Sequence, residues 1–321
     1  MTMKRRRALF LIALGAALPV ARAQSDKWPD KPVRLIVPTS PGGGLDTAAR
    51  LLAPRLADEF GQPFVVDNRP GASGNIGSAI AARAAPDGYT LIVVSSNFAA
   101  TPGLYKLPYD PIKDIAPITR ISAGPYVLVV HPSVKAATVA EFVQLARANP
   151  GKLNFGSSGI GGGIHLVGEY FRQATGIDLV HVPYKGQAPA ILGTIAGEVQ
   201  AMFAAAVVAP HIRSGKLRGI AVSSEGRWPG LPELPTFGES IPGFAIDSWY
   251  GMWAPAGTPR DIITRLNQAL GRALKQPDIQ EKLRADGAEP GYTTPEEYGR
   301  IIARDIGVWS RVIREGNVKV D

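Results

Sequence analysis

Short apolar runs alternate with amphipathic segments along almost the whole chain, and that alternation restricts the fold more than any other feature. "VRLIVP" (33–38) reads as a buried strand and "DTAARLLAPRLADEF" (46–60) as a helix with Leu51, Leu52 and Leu56 on one side. "PFVVDN" (63–68) and "TLIVVS" (90–95) read as strands flanking a helix over 75–85. The rhythm resumes after "GPYVLVVHP" (124–132), with helices over 138–148, 162–175 and 187–196 and strands over 153–156, 178–182, 198–204 and 217–224. Strands of this kind separated by helices form βαβ units and a largely parallel sheet, so the expected class is α/β.

The last third breaks the rhythm. A Pro-rich stretch (227–244) leads to an aromatic strand, "SWYGMWAP" (248–255), followed by helices only. One begins at Thr258-Pro259 and lines up Ile262, Leu266, Leu270 and Leu274. The last opens on Thr294-Pro295-Glu296-Glu297, a capping box with proline at the first helical position, and turns Ile301, Ile302, Ile306, Trp309 and Ile313 inward. Helices without a sheet of their own must cover one already built. The chain is therefore expected to leave a first domain near residue 125 and return to it near 248. This gives domain one as 24–125 plus 248–321, domain two as 126–247, and two crossing segments as a hinge beside a cleft.

Two strand-to-helix junctions are unusually rich in glycine: "IVPTSPGGGLDTAAR" (36–50) and "NFGSSGIGGGIHL" (154–166). Glycine permits tight turns and close approach, and the first turn of a helix has N–H groups without internal partners. Each junction alone reads as an ordinary turn. As a pair at the carboxyl ends of strands in two lobes, where open α/β sheets bind ligands, they suit an anion held between helix N-termini. Candidate ligand contacts are then Ser40, Pro41, Gly42, Gly43 and Gly44 on one side and Ser157, Ser158, Gly159 and Gly162 on the other. Asp46 fits a capping role that fixes the first turn and shapes the pocket. At a third junction, "HVPYKGQAPAILG" (181–193), Lys185 reads either as neutralising a carboxylate or as solvated, and Tyr184 as core or pocket wall. Ser96 and Phe98, in "SSNFAATP" (95–102), also point to the cleft.

Address and charge narrow the partners. Lys4-Arg5-Arg6-Arg7, an apolar stretch from Ala8 to Pro19 and Ala21-Arg22-Ala23 have the layout of a secretory signal peptide over 1–23, cleaved near Ala23. Either the Sec or the twin-arginine route remains open. The chain carries a formal charge of +8. Removing the five basic residues of the leader leaves +3, too little to suggest nucleic acid. There are no cysteines, which excludes thiol chemistry and disulfides. No nucleophile elbow, P-loop or G-x-G-x-x-G motif occurs. His131, His165, His181 and His211 are scattered without metal-ligand spacing. Neither a metal, a cofactor nor a catalytic team is expected.

Taken together, "IVPTSPGGGLDTAAR", "VVDNRPGASGNIGSAIAARAAPDGYTLIV", "FGSSGIGGGIHLVGEYF", "HVPYKGQAPAILGTIAGEVQAMF", "PHIRSGKLRGIAV" and "SWYGMWAPAGTP" resemble the Bug (Bordetella uptake gene) family over essentially the whole mature chain. Its members are extracytoplasmic solute receptors of tripartite tricarboxylate transporters. The resemblance implies a two-lobed, type II-like periplasmic-binding-protein fold that closes on its ligand without catalysis. It also implies a periplasmic location, membrane permease subunits as partners, and turns 39–46 and 156–163 acting as a pincer on a carboxylate. The remaining expectation is a monomer, and a sensor feeding a membrane signalling kinase is the alternative role. Many members read F-D-N after the strand matching "QAMF", whereas this chain has Ala204, Ala205 and Ala206. Without an acid there a ligand amine lacks a partner, which points to a carboxylate without an amino group. Phe98, Phe203, Val207 and Trp249 are candidates for an apolar lining.

Overall fold

In the computed structural model, residues 28–320 are described; the expected leader lies outside them. The first half is β1 (Val33–Val37), α1 (Gly44–Phe60), β2 (Phe64–Asn68), α2 (Asn75–Ala82) and β3 (Thr90–Ser95). β1 pairs in parallel with both β2 and β3. Val33, Leu35, Ile36 and Val37 are wholly buried, because a parallel strand covered by helices on both faces has no wet side. After the short helix α3 (Thr101–Leu104) comes β4 (Ile115–Val130), the longest strand described.

The second half follows as α4 (Val139–Ala148), β5 (Asn154–Ser157), α5 (Gly163–Thr175), β6 (Val180–Pro183), α6 (Gln187–Ile195), β7 (Ala201–Ala205), α7 (Ala209–Arg213) and β8 (Arg218–Val222). The chain then enters β9 (Asp247–Pro255), α8 (Arg260–Ala273), α9 (Pro277–Ala285), β10 (Glu289–Pro290) and α10 (Pro295–Glu315). The strand order is β2-β1-β3-β9-β4-β7-β5-β6, with β8 and β10 also on β4. From Ile115 to Pro125, β4 pairs antiparallel with β9; from Tyr126 onward it pairs with β7 and β8.

Two expectations change. β4 begins at Ile115, well before the apolar stretch 124–132 after which the rhythm resumes, its earlier part disguised by Pro117 and by register shifts at Pro117/Thr119 and Arg120/Ser122. Proline donates no ladder bond and bulges break the two-residue alternation. The tail is not purely helical, since Glu289–Pro290 forms a two-residue strand on β4.

Two buried clusters hold the molecule together. One packs β1, α1, α8 and α9 through Leu52, Leu56, Ile262, Leu266 and Leu270. The other runs from Phe98 and Trp253 through α10 to a phenylalanine cluster, Phe142, Phe155, Phe171, Phe203 and Phe237, under the second half. Each such side chain contributes about 1.5–3 kcal/mol of burial. The capping box of α10 forms: Thr294 Oγ1 accepts from Glu297 N at 3.2 Å, and Glu297 Oε2 accepts from Thr294 N at 2.9 Å. Near its other end, Gln173 Nε2 of α5 donates to Val312 O at 2.9 Å, tying α10 to the second half.

Candidate functional site

The two glycine-rich turns have nearly the same backbone. Gly42 and Gly161 both have positive φ, 86° and 75°, a region open to glycine at little cost. Gly43 and Gly162 then cap α1 and α5 with φ/ψ of −80°/166° and −74°/160°, and neither helix has a side-chain cap on its N-terminus. Gly163 N donates to Asn97 Oδ1 at 3.1 Å, while the N–H groups of Gly44, Leu45, Ile164 and His165 remain as donors. Each turn is braced from the third helical residue: Asp46 Oδ2 accepts from Gly42 N at 2.9 Å, and His165 Nδ1 accepts from Gly161 N at 3.0 Å. A tyrosine hydroxyl from the crossing strands sits against each first helical glycine. A Cβ on Gly44 would lie 2.7 Å from the Tyr250 hydroxyl, and one on Gly163 would lie 2.2 Å from the Tyr126 hydroxyl.

Both turns open onto one cleft of about 290 Å³. Gly43, Gly44 and Leu45 line it from α1, and Ser158, Gly163 and Ile164 from α5; Gln187 lies at the start of α6 and Ala205 at the end of β7. Ser95 at the end of β3, Ser96 and Asn97 just after it, and Tyr126, Ser248 and Tyr250 of the crossing strands complete most of the wall. No Asp, Glu, Lys, Arg or His is among its lining residues. A second cavity of about 330 Å³ shares Thr39, Leu45, Ser95 and Asn97 with the cleft and runs under the turn 70–74. In that turn Ala72 and Ser73 hold φ of 46° and 54°, sparsely populated for side-chain-bearing residues. A small side pocket of about 70 Å³, sharing Ala205, Ser248 and Tyr250, is lined by one carboxylate, Asp286.

The braces differ electrostatically. Asp46 is 3% exposed and holds Arg50 Nε at 3.0 Å and Asn68 Nδ2 at 2.9 Å. Arg50 above all, then the Gly42 N–H, lowers its pKa to about 2. His165 instead stacks on His181 with ring centroids 3.8 Å apart. Burial lowers the two imidazoles to about 3 and about 4, with mutual repulsion adding to the shift of His165. His181 Nε2 lies 2.6 Å from Ser157 Oγ, which accepts from Gly159 N at 3.1 Å. Histidines scattered in sequence thus form a neutral stack beneath the second turn.

Of the residues singled out by sequence, Gly43, Gly44, Ser96, Ser158 and Ala205 line the cleft, while Ser40 and Phe98 line the second cavity. Pro41 and Gly42 are exposed on the turn, and Asp46, Ser157, Gly159 and Gly162 shape or brace the turns rather than line the cleft. Three lie elsewhere. Tyr184 bonds Glu198 Oε2 at 3.0 Å and packs over Gly156 and Gly193; Lys185 is exposed and lines neither cavity; Ala204 is buried opposite Val127. The candidate apolar lining divides: Phe98 lines the second cavity and Trp249 the small side pocket, while Phe203 and Val207 line neither the cleft nor these two cavities. Phe98 packs on Trp253, Phe203 joins the phenylalanine core, and Trp249 is buried with its indole N–H on Asp305 at 2.8 Å. Val207 is 41% exposed, in a groove beside Arg213 and Trp228. Sequence reading passed over Asn97, Gln187, Ser248, Tyr126 and Tyr250. The helix start after Gly186 signals Gln187, but a tyrosine within an apolar strand looks like core.

A family profile described as "Tripartite tricarboxylate transporter family receptor" matches residues 48–318. Protein BugT of Bordetella pertussis is 37% identical over 320 residues, covering 97% of this chain and 96% of that protein. Among solved structures, Rpa4515 of R. palustris with adipate is 37% identical with a TM-score of 0.75, covering 91% of this chain and all of that one. The periplasmic binding protein BugD is 34% identical with a TM-score of 0.72, over 91% of this chain and all of its own. The fold is accordingly that of the two-lobed periplasmic binding proteins. This chain belongs to the tripartite tricarboxylate transporter receptor family, which includes the Bug proteins.

Proposed function

We propose that this protein is a periplasmic solute-binding protein that captures a small organic carboxylate between two lobes and delivers it, as a monomer, to the membrane permease subunits of a tripartite transporter. The lobes are 24–125 with 248–321 and 126–247, hinged where β4 and β9 cross; on β4 the pairing passes from β9 to β7 and β8 between Pro125 and Tyr126. The observation that carries the reading is the matched pair of uncapped helix N-termini opening onto one cleft whose lining has no ionic side chain. Peptide N–H groups and helix dipoles then supply the positive end of the interaction. A charge-assisted hydrogen bond contributes about 1.5–3 kcal/mol and each helix terminus about 0.3–1 kcal/mol, more where water is excluded.

Binding without chemistry fits the lining of hydroxyls and amides, none of which sits beside a general base in the cleft. The hydroxyls and amides of the wall suit the carboxylate oxygens of a guest, in line with the dicarboxylate adipate held by Rpa4515. No acid lines the main cleft, so an amino group there has no carboxylate partner and loses the charge-assisted bond worth about 1.5–3 kcal/mol. Calorimetry against adipate, malate, citrate, benzoate and the corresponding amino acids tests this. Dicarboxylates are expected to bind most tightly; equal or tighter binding of amino acids, or hydrolysis or other turnover of any of these compounds, contradicts the reading.

A further inference from the structure

Asn97 occupies a singular place, on the wall shared by the cleft and the second cavity. It follows β3 in the first half, yet its side chain reaches the second: Gly163 N, at the start of α5, donates to Asn97 Oδ1 at 3.1 Å. An N–H needs an acceptor, so this contact fixes which end of the amide is oxygen. The Nδ2 end, with two donors, has no protein partner among the described residues and borders the cavities. The hydroxyl of Thr39, on the same shared wall, is buried and also without a partner. The Asn97 side chain is exposed on this wall, where a guest's oxygen can reach it, and the buried Thr39 hydroxyl lacks an acceptor.

We infer that Asn97 is a cross-cleft latch that also reads the ligand: its oxygen joins the lobes at Gly163 while its NH₂, with the Thr39 hydroxyl, donates to an oxygen of the bound carboxylate. One side chain then couples occupancy to closure. A guest that fills the donor end fixes the rotamer whose other end holds α5, and so favours the closed state by differential affinity. The crowding of Gly163 by the Tyr126 hydroxyl keeps its N–H where Asn97 can reach it. The donor half of the inference rests on the carboxylate-binding reading; the latch half does not.

Asn97→Ala and Asn97→Asp separate the two halves, and Asn97 is exposed, so folding is not at stake. Asn97→Asp keeps an acceptor for Gly163 N but turns the donor into a like charge. Small-angle scattering of the unliganded proteins is expected to show Asn97→Ala more extended than wild type and Asn97→Asp as compact. Calorimetry with adipate and malate is expected to show binding weakened roughly 10- to 100-fold in Asn97→Ala and by at least as much in Asn97→Asp. Equal compaction of Asn97→Ala and wild type overturns the latch. Wild-type affinity in Asn97→Asp overturns the donor role. If the wild type binds neither acid, the proposed function falls and takes the donor role with it, while the scattering comparison still decides the latch.

Discussion

The turns 39–46 and 156–163 share a backbone and differ in what braces it. Both place a positive-φ glycine two residues before the helix, cap the helix with an extended glycine, and tie the first glycine to the third helical side chain. In the first turn that side chain is a carboxylate ionised at any ordinary pH and matched by Arg50. In the second it is a neutral imidazole stacked on another. The difference teaches that one loop geometry has two electrostatic solutions. The ionic brace places a compensated negative charge beside one anion-seeking helix end, whereas the neutral brace leaves the dipole of α5 unopposed. The second turn is therefore expected to carry more of the anion affinity and more of the pH sensitivity.

Acid should separate them most strongly. A histidine whose folded pKa is depressed loses stability as pH falls below its unfolded value of about 6.5, by about 1.4 kcal/mol per pH unit until the folded pKa is reached. Asp46, lowered to about 2, loses its contribution only below about pH 4. Asp247, raised to about 6 by burial, acts in the opposite direction between about pH 4 and 6. Subtraction isolates the histidine. Urea denaturation of wild type and His165→Asn from pH 7 to 4 should give a stability difference that changes by about 1.4 kcal/mol per unit in favour of the variant. A difference independent of pH would mean that the stack is not neutral.

Crowding gives the next largest effect. Alanine at 163 meets the Tyr126 hydroxyl at 2.2 Å and alanine at 44 meets that of Tyr250 at 2.7 Å. Gly163→Ala should weaken carboxylate binding by roughly 100-fold and Gly44→Ala by roughly 10-fold, each clash being of the size of a modest overpacking cost. Adding Tyr126→Phe should recover part of the Gly163→Ala loss, and calorimetry of the three variants closes the cycle. Smaller still is Asp46→Ala, which removes the brace on Gly42 and should cost about 1–2 kcal/mol of stability at pH 7, as loss of a capping residue does. A loss in Asp46→Ala that varied between pH 7 and 5 would contradict a carboxylate ionised throughout that range.

Much of this arrangement is written locally. Val33–Val37 and Thr90–Ser95 are largely apolar runs bounded by turns, and Thr294 with Glu297 announces the start of α10; such signals survive tertiary context. Both glycine turns are legible because few other sequences put so much bare backbone before a helix. What stayed hidden depends on distant partners. His165 and His181 meet only because β5 and β6 lie side by side. The first part of β4 is masked by Pro117 and two register shifts. Phe203 and Trp249 lie inside β7 and β9, where the sequence does not say which side of the strand meets the core, and both are buried; Phe98, just after β3, packs on Trp253 and also borders the second cavity.

The central claim is that peptide N–H groups of both turns hold the same anion. Titrating ¹⁵N-labelled protein with adipate and following the backbone amides of Gly44, Leu45, Ile164 and His165 tests it most directly. The account expects downfield amide-proton shifts in both turns along a single binding curve. Shifts confined to one turn, or two curves with different midpoints, would contradict it.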